Sequence, residues 1–526
     1  MELAFPKKIA IIGQMQLDPK RFSLPEDDSR KKIFRDIYKW THVEYKGDLV
    51  EEATFFSGNV VSSYKSIWEI PSFSTIFLGS EIRKAAPSVE ITIINYIDQD
   101  NLEQIKDEMI QLGPEMIFLS TTFMLKLDQL VSSVKLLRST LPKTTIVLGG
   151  HFIKKNFDPS TNTDFICKQL GPNIIIDLSM FGGENIIAIL KKDIKAAGPE
   201  VFLIGNAASH KGEASAKKFD FCRTQIFYDN LPPETQIVPV RTSIGCPFKC
   251  SFCSYHETAG SFIQKDIDVI LLELKQIEQK GIKNIIFIDD TLNFPKERFE
   301  SLLDEMIDMG LTNFSCFSFC RCQYLTESIC RKMKKCGFEA VLLGIESGSG
   351  SILKNMNKGA TTTQYLKGIS LLLEANILTF GAFIVGFPGE TTDTLNETLD
   401  FINLSKLDFV YIQPYYYLHN SPIHRDRKQF NLIGDGALWK HATMTSTQCK
   451  SHLDELIFRV SGPEYAHLEN TMWEYAYLRS IGFDRNFFIS YRRLVNNLKK
   501  LQIIAPSNFE ELLQEQIKDF QNNTTH

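Results

Sequence analysis

Gly245-Cys246-Pro247-Phe248-Lys249-Cys250-Ser251-Phe252-Cys253 is the stretch on which the reading of this 526-residue chain turns. The CxxxCxxC spacing puts three thiols on one tight loop. That is enough to hold three irons of a 4Fe-4S cluster and leave the fourth iron open to a substrate. A strand-like run, Val238 to Ile244, leads in, and Gly245 and Phe252 suit a loop at the C-terminal end of a barrel strand. The competing readings are a zinc knuckle or three buried thiols. Zinc takes four ligands in pairs, and the nearest candidate fourth is His256.

The rest of the composition is that of a soluble enzyme: 43% hydrophobic, 23% charged, formal net charge −5. No basic run of the kind that tracks phosphates is present, so a nucleic-acid partner is not expected. Apolar stretches such as Ile282 to Ile288 break off well short of the roughly 20 residues of a membrane helix. The first residues enter a strand directly, without an apolar signal region. A cytoplasmic location is expected, and eleven cysteines in a chain this long do not read as a disulfide framework.

Upstream, the first ~200 residues alternate strands with helices. Strands are expected at Lys8 to Gly13, Val89 to Tyr96, Met116 to Ser120 and Thr145 to Gly149, with helices at Ser74 to Ala86, Asn101 to Leu112 and Leu127 to Ser139. A helix from Arg30 to Trp40, capped by Ser29, lies in an insertion. Such alternation implies a doubly wound parallel sheet whose ligands sit at the strand C-termini. Three of those ends carry candidate binding groups: Ser120-Thr121-Thr122, Gly149-Gly150-His151 and Phe181-Gly182-Gly183-Glu184. The plainer alternative is a Rossmann-like domain whose glycines only turn the chain.

Residues 201–237, with the polar run His210 to Lys218, read as a linker. From 238 to 430, six strands each precede a helical segment: Val238 to Ile244, Asn284 to Asp289, Phe314 to Cys320, Ala340 to Ile345, Leu378 to Val385 and Phe409 to Pro414. Six βα units make an open partial TIM barrel with its site at the strand C-termini. Residues 431–526 are expected to be mostly helical. The expected class is therefore α/β: an N-terminal doubly wound Rossmann-like domain, a central open (β/α)6 barrel and a C-terminal helical region. Cys316, Cys320, Cys322, Cys330 and Cys336 suggest a second cluster or, as free cysteine commonly is, small buried hydrophobes.

Beyond the cysteines, two strings carry a family resemblance. Gly344-Ile345-Glu346-Ser347-Gly348, followed by Leu353, Met356 and Lys358-Gly359, resembles a signature of cobalamin-type and methylthiolating radical S-adenosylmethionine (SAM) enzymes. Gly386-Phe387-Pro388-Gly389-Glu390 is a second string of that kind. The resemblance to the radical SAM superfamily, cobalamin-binding class, covers roughly residues 7 to 430. Trp439-Lys440-His441-Ala442-Thr443-Met444 faintly resembles a string of its phosphorus methyltransferases.

The resemblance implies that a cluster on Cys246, Cys250 and Cys253 cleaves SAM to a 5′-deoxyadenosyl radical. It places Asp289 and Asp290 near the SAM amino group, Arg321 at its carboxylate, and Glu346 and Ser347 at the ribose. Gly386 and Pro388 would lie on the adenine side. Cobalamin would sit on the N-terminal sheet at Ser120, Thr121, Gly149 and Gly150, and the tyrosines Tyr415 to Tyr417 either line a pocket or pack. The implied reaction is methyl transfer to an unactivated carbon or phosphorus of a natural-product or peptide substrate, with flavodoxin or ferredoxin as electron donor. One departure stands out. The first strand ends in Gly13-Gln14-Met15-Gln16-Leu17-Asp18, without the histidine of a DxHxxG motif, so the lower cobalt face is left unassigned. A cobalamin-independent epimerase, cyclase or rearranging enzyme is the alternative, and a non-catalytic binding protein a more distant one.

Overall fold

The structure, a computed structural model, describes residues 5–524 except 18–20, 25, 29–30, 33–34, 36–41, 62–66, 125, 159–167, 180–184, 195–200, 205–208, 212–219, 467–470 and 505–507. The helix expected from Arg30 to Trp40 with its Ser29 cap, the Phe181 to Glu184 string and most of the run from His210 to Lys218 lie outside the described residues.

The chain forms two compact units. The first comprises residues 1–19, 68–239 and 272–282. Its seven-stranded sheet runs, in spatial order, Ser209–Lys211, Val201–Ile204, Ile174–Asp177, Thr145–Gly149, Met116–Ser120, Lys8–Ile12 and Glu90–Ile94. The five strands from Ile174–Asp177 to Glu90–Ile94 are parallel. Their side chains alternate between two apolar faces. Ile9, Ile11, Met116, Phe118, Val147 and Ile175 enter one core, and Ala10, Ile12, Ile117, Leu119, Ile146, Leu148, Ile174 and Ile176 the other. A strand buried on both faces reads as a continuous apolar run, which is why these segments are legible in the sequence. The strand Lys8–Ile12 lies between Glu90–Ile94 and Met116–Ser120, so the winding direction reverses beside its C-terminal end.

The segment expected to be a linker, 201–237, contributes the two antiparallel strands at the edge of this sheet, and its unit runs on to Pro239. Polar residues suit an edge strand as well as a linker, so composition does not separate the two.

The second unit comprises residues 20–67, 240–271 and 283–526. The sheet order here is Ile237–Val240, of which only Val240 falls within this unit, then Asn284–Phe287, Ser315–Cys320, Phe338–Glu346, Leu378–Val385, Phe409–Pro414 and Glu464–Tyr465. Five of the six expected barrel strands are present close to where they were read; of the first, Val238 to Ile244, only the part up to Val240 lies in this sheet, and Ser243–Ile244 pairs antiparallel with Ile263–Gln264. The C-terminal region adds a short parallel seventh, Glu464–Tyr465, and a hairpin, Ile433–Asp435 with Leu438–Lys440, to its helices.

Residues 20–67 do not join the N-terminal sheet that surrounds them in sequence. Glu52, on the helix Glu52–Asn59, accepts from Arg492 Nη1 at 2.9 Å, and the same nitrogen reaches Glu474 Oε2 at 3.1 Å. Lys499 donates to the His42 carbonyl. These groups are buried, so each charge depends on its partner for compensation. Among the described residues no helix is long and apolar enough to cross a membrane.

Candidate functional site

Thr242 and Ser243 follow the first barrel strand, Ile237–Val240, and Asp289, just past the end of the second strand, holds them in place. The fully buried Asp289 carboxylate accepts from the Thr242 amide at 3.0 Å, from the Ser243 hydroxyl at 2.6 Å and from the Ser243 amide. In place of the expected ammonium partner, Asp289 is a brace for the strand that launches the cysteine loop. Gly245 then turns the chain with φ +79°, and a Cβ there would meet the Ser261 carbonyl oxygen at 2.8 Å, so a side chain is excluded.

Two of the three sulfurs accept an N–H hydrogen bond, Cys253 from the Tyr255 amide at 3.4 Å and Cys250 from the Arg321 guanidinium at 3.1 Å, and the nearby Phe248 amide draws the Cys246 thiol downward. Burial pushes the Cys246 and Cys253 thiols up, and these amides oppose that shift. Donors aimed at sulfur favour the thiolate, the form that binds metal. Among the described residues no three Cys, His, Asp or Glu side chains converge on one ion. A four-iron cluster makes a different demand, one thiolate per iron.

Arg321, expected at the SAM carboxylate, is thus committed to Cys250. Its guanidinium also lies 3.5 Å from the Phe248 ring centroid and donates to the Lys358 carbonyl at 3.1 Å. Asn293 fixes the Arg321 backbone through two hydrogen bonds of 2.8 and 2.9 Å.

The string after the fourth strand grips the same loop. Met356 O accepts from the Ser251 amide at 2.8 Å, and Asn357 Nδ2 donates to Lys249 O at 2.8 Å. Lys358 Nζ lies 5.7 Å from the Phe252 ring centroid and donates to Glu346 Oε1 at 2.8 Å. Glu346 follows a register shift in its strand and has φ +71°, a conformation costly for a residue with a Cβ. Its carboxylate is engaged by Lys358, so any ribose hydroxyl would share it. Ser347 is fully buried; its hydroxyl meets Thr398 Oγ1 at 3.2 Å and accepts from the Ser349 amide.

Asp290 is solvent-accessible yet closely surrounded by protein atoms, and that crowding pushes its carboxyl up while Arg241 and Tyr255 pull it down. Arg241 is a residue that sequence reasoning missed. It lies next to the end of the first strand, its Nη2 donates to Ile288 O at 3.0 Å, and its buried Nε has no partner among the described residues. The only available signal was a cation five residues before the first cysteine.

At Gly386 a Cβ would lie 2.6 Å from both Trp439 and Cys449 Sγ, so the missing side chain makes room for the C-terminal region. Pro388 O accepts from Asn355 Nδ2 at 3.2 Å. Glu390 is wholly buried, accepts from the Gly386 amide, and is pushed up to about 8 by burial. Tyr415 and Tyr417 are buried while Tyr416 is 60% exposed, so packing accounts for two of the three. Cys316 and Cys336 are buried, as are Cys320, Cys322 and Cys330; the first two donate to the carbonyls of Cys336 and Leu303, as small core residues do.

In the first unit, Ser120, Thr121, Gly149 and Gly150 do meet at adjacent strand ends. Thr121 Oγ1 donates to Gly149 O at 2.8 Å and accepts from the Ile153 amide, and Ser120 Oγ donates to Thr122 Oγ1 at 3.2 Å. A Cβ on Gly150 would fall 2.7 Å from Thr122 Oγ1. These groups largely satisfy one another. What the sequence did not single out lies at the winding reversal. Gln14 is buried with Oε1 unpartnered among the described residues, and Phe123 is 46% exposed with its ring centroid 5.3 Å from that of Trp68. An orphan amide oxygen and an open aromatic face suit an amide-fringed planar ligand.

Residues 240–402 match the radical SAM superfamily, and the chain therefore carries a radical SAM domain. Among curated proteins it is 34% identical over 194 residues to an uncharacterized methyltransferase of Pyrococcus horikoshii, covering 35% of this chain and 42% of that protein. It is 32% identical over 183 residues to the bacteriochlorophyllide d C-12(1)-methyltransferase of Chlorobaculum tepidum, covering 33% and 39%. The matched stretch spans about two-fifths of the length of these relatives. The α/β fold, with its parallel sheets, is similar to the radical SAM methyltransferase TsrM of Kitasatospora setae, solved with tryptophan and a SAM analogue. That match has a TM-score of 0.59 at 13% identity over 87% of this chain and 97% of the other. It is also similar to the cobalamin-dependent radical SAM enzyme OxsB, solved with aqua-cobalamin and SAM, with a TM-score of 0.53 at 16% identity over 93% and 80%. At these identities the likeness is one of fold.

Proposed function

We propose that this chain is a radical SAM enzyme that carries out cobalamin-dependent methyl transfer to an unactivated carbon or phosphorus of a small-molecule or peptide substrate. Cys246, Cys250 and Cys253 hold a 4Fe-4S cluster in this reading. The observation that carries it is that three cysteines share one loop, with N–H donors on Cys250 and Cys253. When bound, the cluster supplies the electron that splits SAM into methionine and a 5′-deoxyadenosyl radical.

The chain's own residues prepare that site. Arg321 and the amides of Phe248 and Tyr255 offset negative charge on sulfur. Asp290 offers a carboxylate to the ammonium of SAM, and Arg241, with its unpartnered Nε, is better placed than Arg321 to take the carboxylate. Glu346 and the loop from Gly386 to Glu390 border the nucleoside. A cavity of about 680 Å3 shares Lys249 and Ser251 with the cysteine loop; its lining is of mixed charge, with Lys354 and Asp426 beside an Arg425 paired to Glu257. For cobalamin the support is the shared fold together with Gln14 and Phe123.

The second reading is a cobalamin-independent epimerase, cyclase or rearranging enzyme. Favouring it are the self-satisfied hydroxyls of Ser120 and Thr121 and the absence of histidine after the first strand. The test is anaerobic reconstitution with iron, sulfide and hydroxocobalamin. Wild type is expected to hold about four irons, to bind cobalamin, and to release 5′-deoxyadenosine from SAM. Substituting all three cysteines by Ala should abolish cluster absorbance and cleavage. Four irons retained in that variant would remove the assignment, and cleavage without cobalamin binding would select the second reading.

A further inference from the structure

We propose that the C-terminal string Trp439 to Thr443 clamps the loop ending the fifth barrel strand, with His441 as a positioning residue for SAM. The inference rests on the reading above, in which that loop borders the nucleoside.

His441 is 2% exposed, and burying an imidazole is costly unless both nitrogens are used. Both are. Nε2 meets the Gly386 carbonyl at 3.1 Å, while Nδ1 meets the Thr443 hydroxyl at 3.1 Å and the Thr443 amide at 3.4 Å. Because an amide can only donate, Nδ1 is the acceptor, and the ring proton sits on Nε2 where it donates to Gly386 O. Trp439 stacks on the imidazole with centroids 5.2 Å apart and planes 6° from parallel. The indole N–H is itself anchored to Tyr415 O at 2.7 Å, on the neighbouring strand end.

Gly386 has φ +86°, and Trp439 and Cys449 fill the space its Cβ would need. Cys449 Sγ donates to Val385 O at 3.3 Å. The carbonyls at 385 and 386 are thus both set by residues more than fifty positions downstream, while the Gly386 amide is held by Glu390. Phe387, the next residue, makes an edge contact with Phe252 of the cysteine loop at 6.4 Å between centroids. The clamp therefore sets the path of a backbone segment that touches the cysteine loop through Phe387.

The test uses the full-length reconstituted protein and reads SAM affinity by equilibrium dialysis and the SAM-induced change in the paramagnetic resonance of the reduced cluster. His441→Phe keeps the ring and its stacking on Trp439 but loses the donor. It should weaken SAM binding about five- to tenfold with iron content unchanged, the worth of one buried hydrogen bond. His441→Gln, which can donate to the same carbonyl, should recover most of that loss. Unchanged affinity in the Phe variant, or equal loss in both, would overturn the proposal. If the Phe variant does not fold, Thr443→Val decides: about threefold weaker binding is expected from a loosened imidazole, and wild-type binding would overturn the clamp. Wild type failing to bind SAM would instead remove the functional reading on which the clamp rests.

Discussion

Replacing Arg321 by Gln is expected to make the reconstituted cluster harder to reduce. In the structure the guanidinium is buried, donates to Cys250 Sγ at 3.1 Å and is backed by the Phe248 ring. A hydrogen bond from a cation to a thiolate contributes about 1.5–3 kcal/mol. It strengthens when the metal site gains an electron, and only that increase enters the potential, so the whole bond is a ceiling. With a tenfold change, about 1.36 kcal/mol, equal to about 59 mV for one electron, the ceiling is roughly 65–130 mV. A downward shift of roughly 30–100 mV is expected. Arg321→Lys keeps the charge but loses the planar fork and should fall between the two. Redox titration of the three anaerobically reconstituted proteins, followed by paramagnetic resonance, measures the shift. An Arg321→Gln protein with a full cluster and the wild-type midpoint would show that this arginine does not act on a cluster thiolate, and Cys250 would lose that support as a ligand.

Lys358→Met leaves the Glu346 carboxylate buried without its partner and should cost about 3–5 kcal/mol in chemical denaturation. Glu346→Gln combined with Lys358→Met should recover most of that loss, and a double variant as unstable as the single one would show that the pair is not the cause. Glu390, held up at about 8 against an ordinary 4.5, keeps its proton where the unfolded chain releases it. Wild-type stability from this group is therefore full below the unfolded value and lost as pH rises toward 8. Glu390→Gln should gain on wild type by up to several kcal/mol between about pH 5 and about pH 8, and a difference that stays constant with pH contradicts the assignment. Cobalamin bound to the full chain should show no nitrogen superhyperfine splitting from protein in the resonance spectrum of Co(II), since the stretch Gly13 to Asp18 after the first strand holds no histidine. Splitting from a histidine would point to His151.

Local patterns made much of this protein legible. Apolar runs buried on two faces mark the N-terminal strands, and three cysteines spaced for one loop mark the site, because both signals depend only on neighbours in the chain. The Met356 and Lys358-Gly359 string was visible too, but its purpose was not: the Met356 carbonyl holds the cysteine loop at Ser251 and the Asn357 side chain holds it at Lys249. The sequence could not show that Asp289 would be spent on Thr242 and Ser243, or that Gly386 would be filled by Trp439. Nor could it show that residues 20–67 would join the C-terminal unit through Glu52 and Arg492, 440 positions apart. Residue type and spacing encode what a segment can do within a few turns of chain. Which buried group finds which partner across hundreds of residues is decided by packing, because a desolvated charge or amide must be satisfied by whatever the tertiary fold brings beside it.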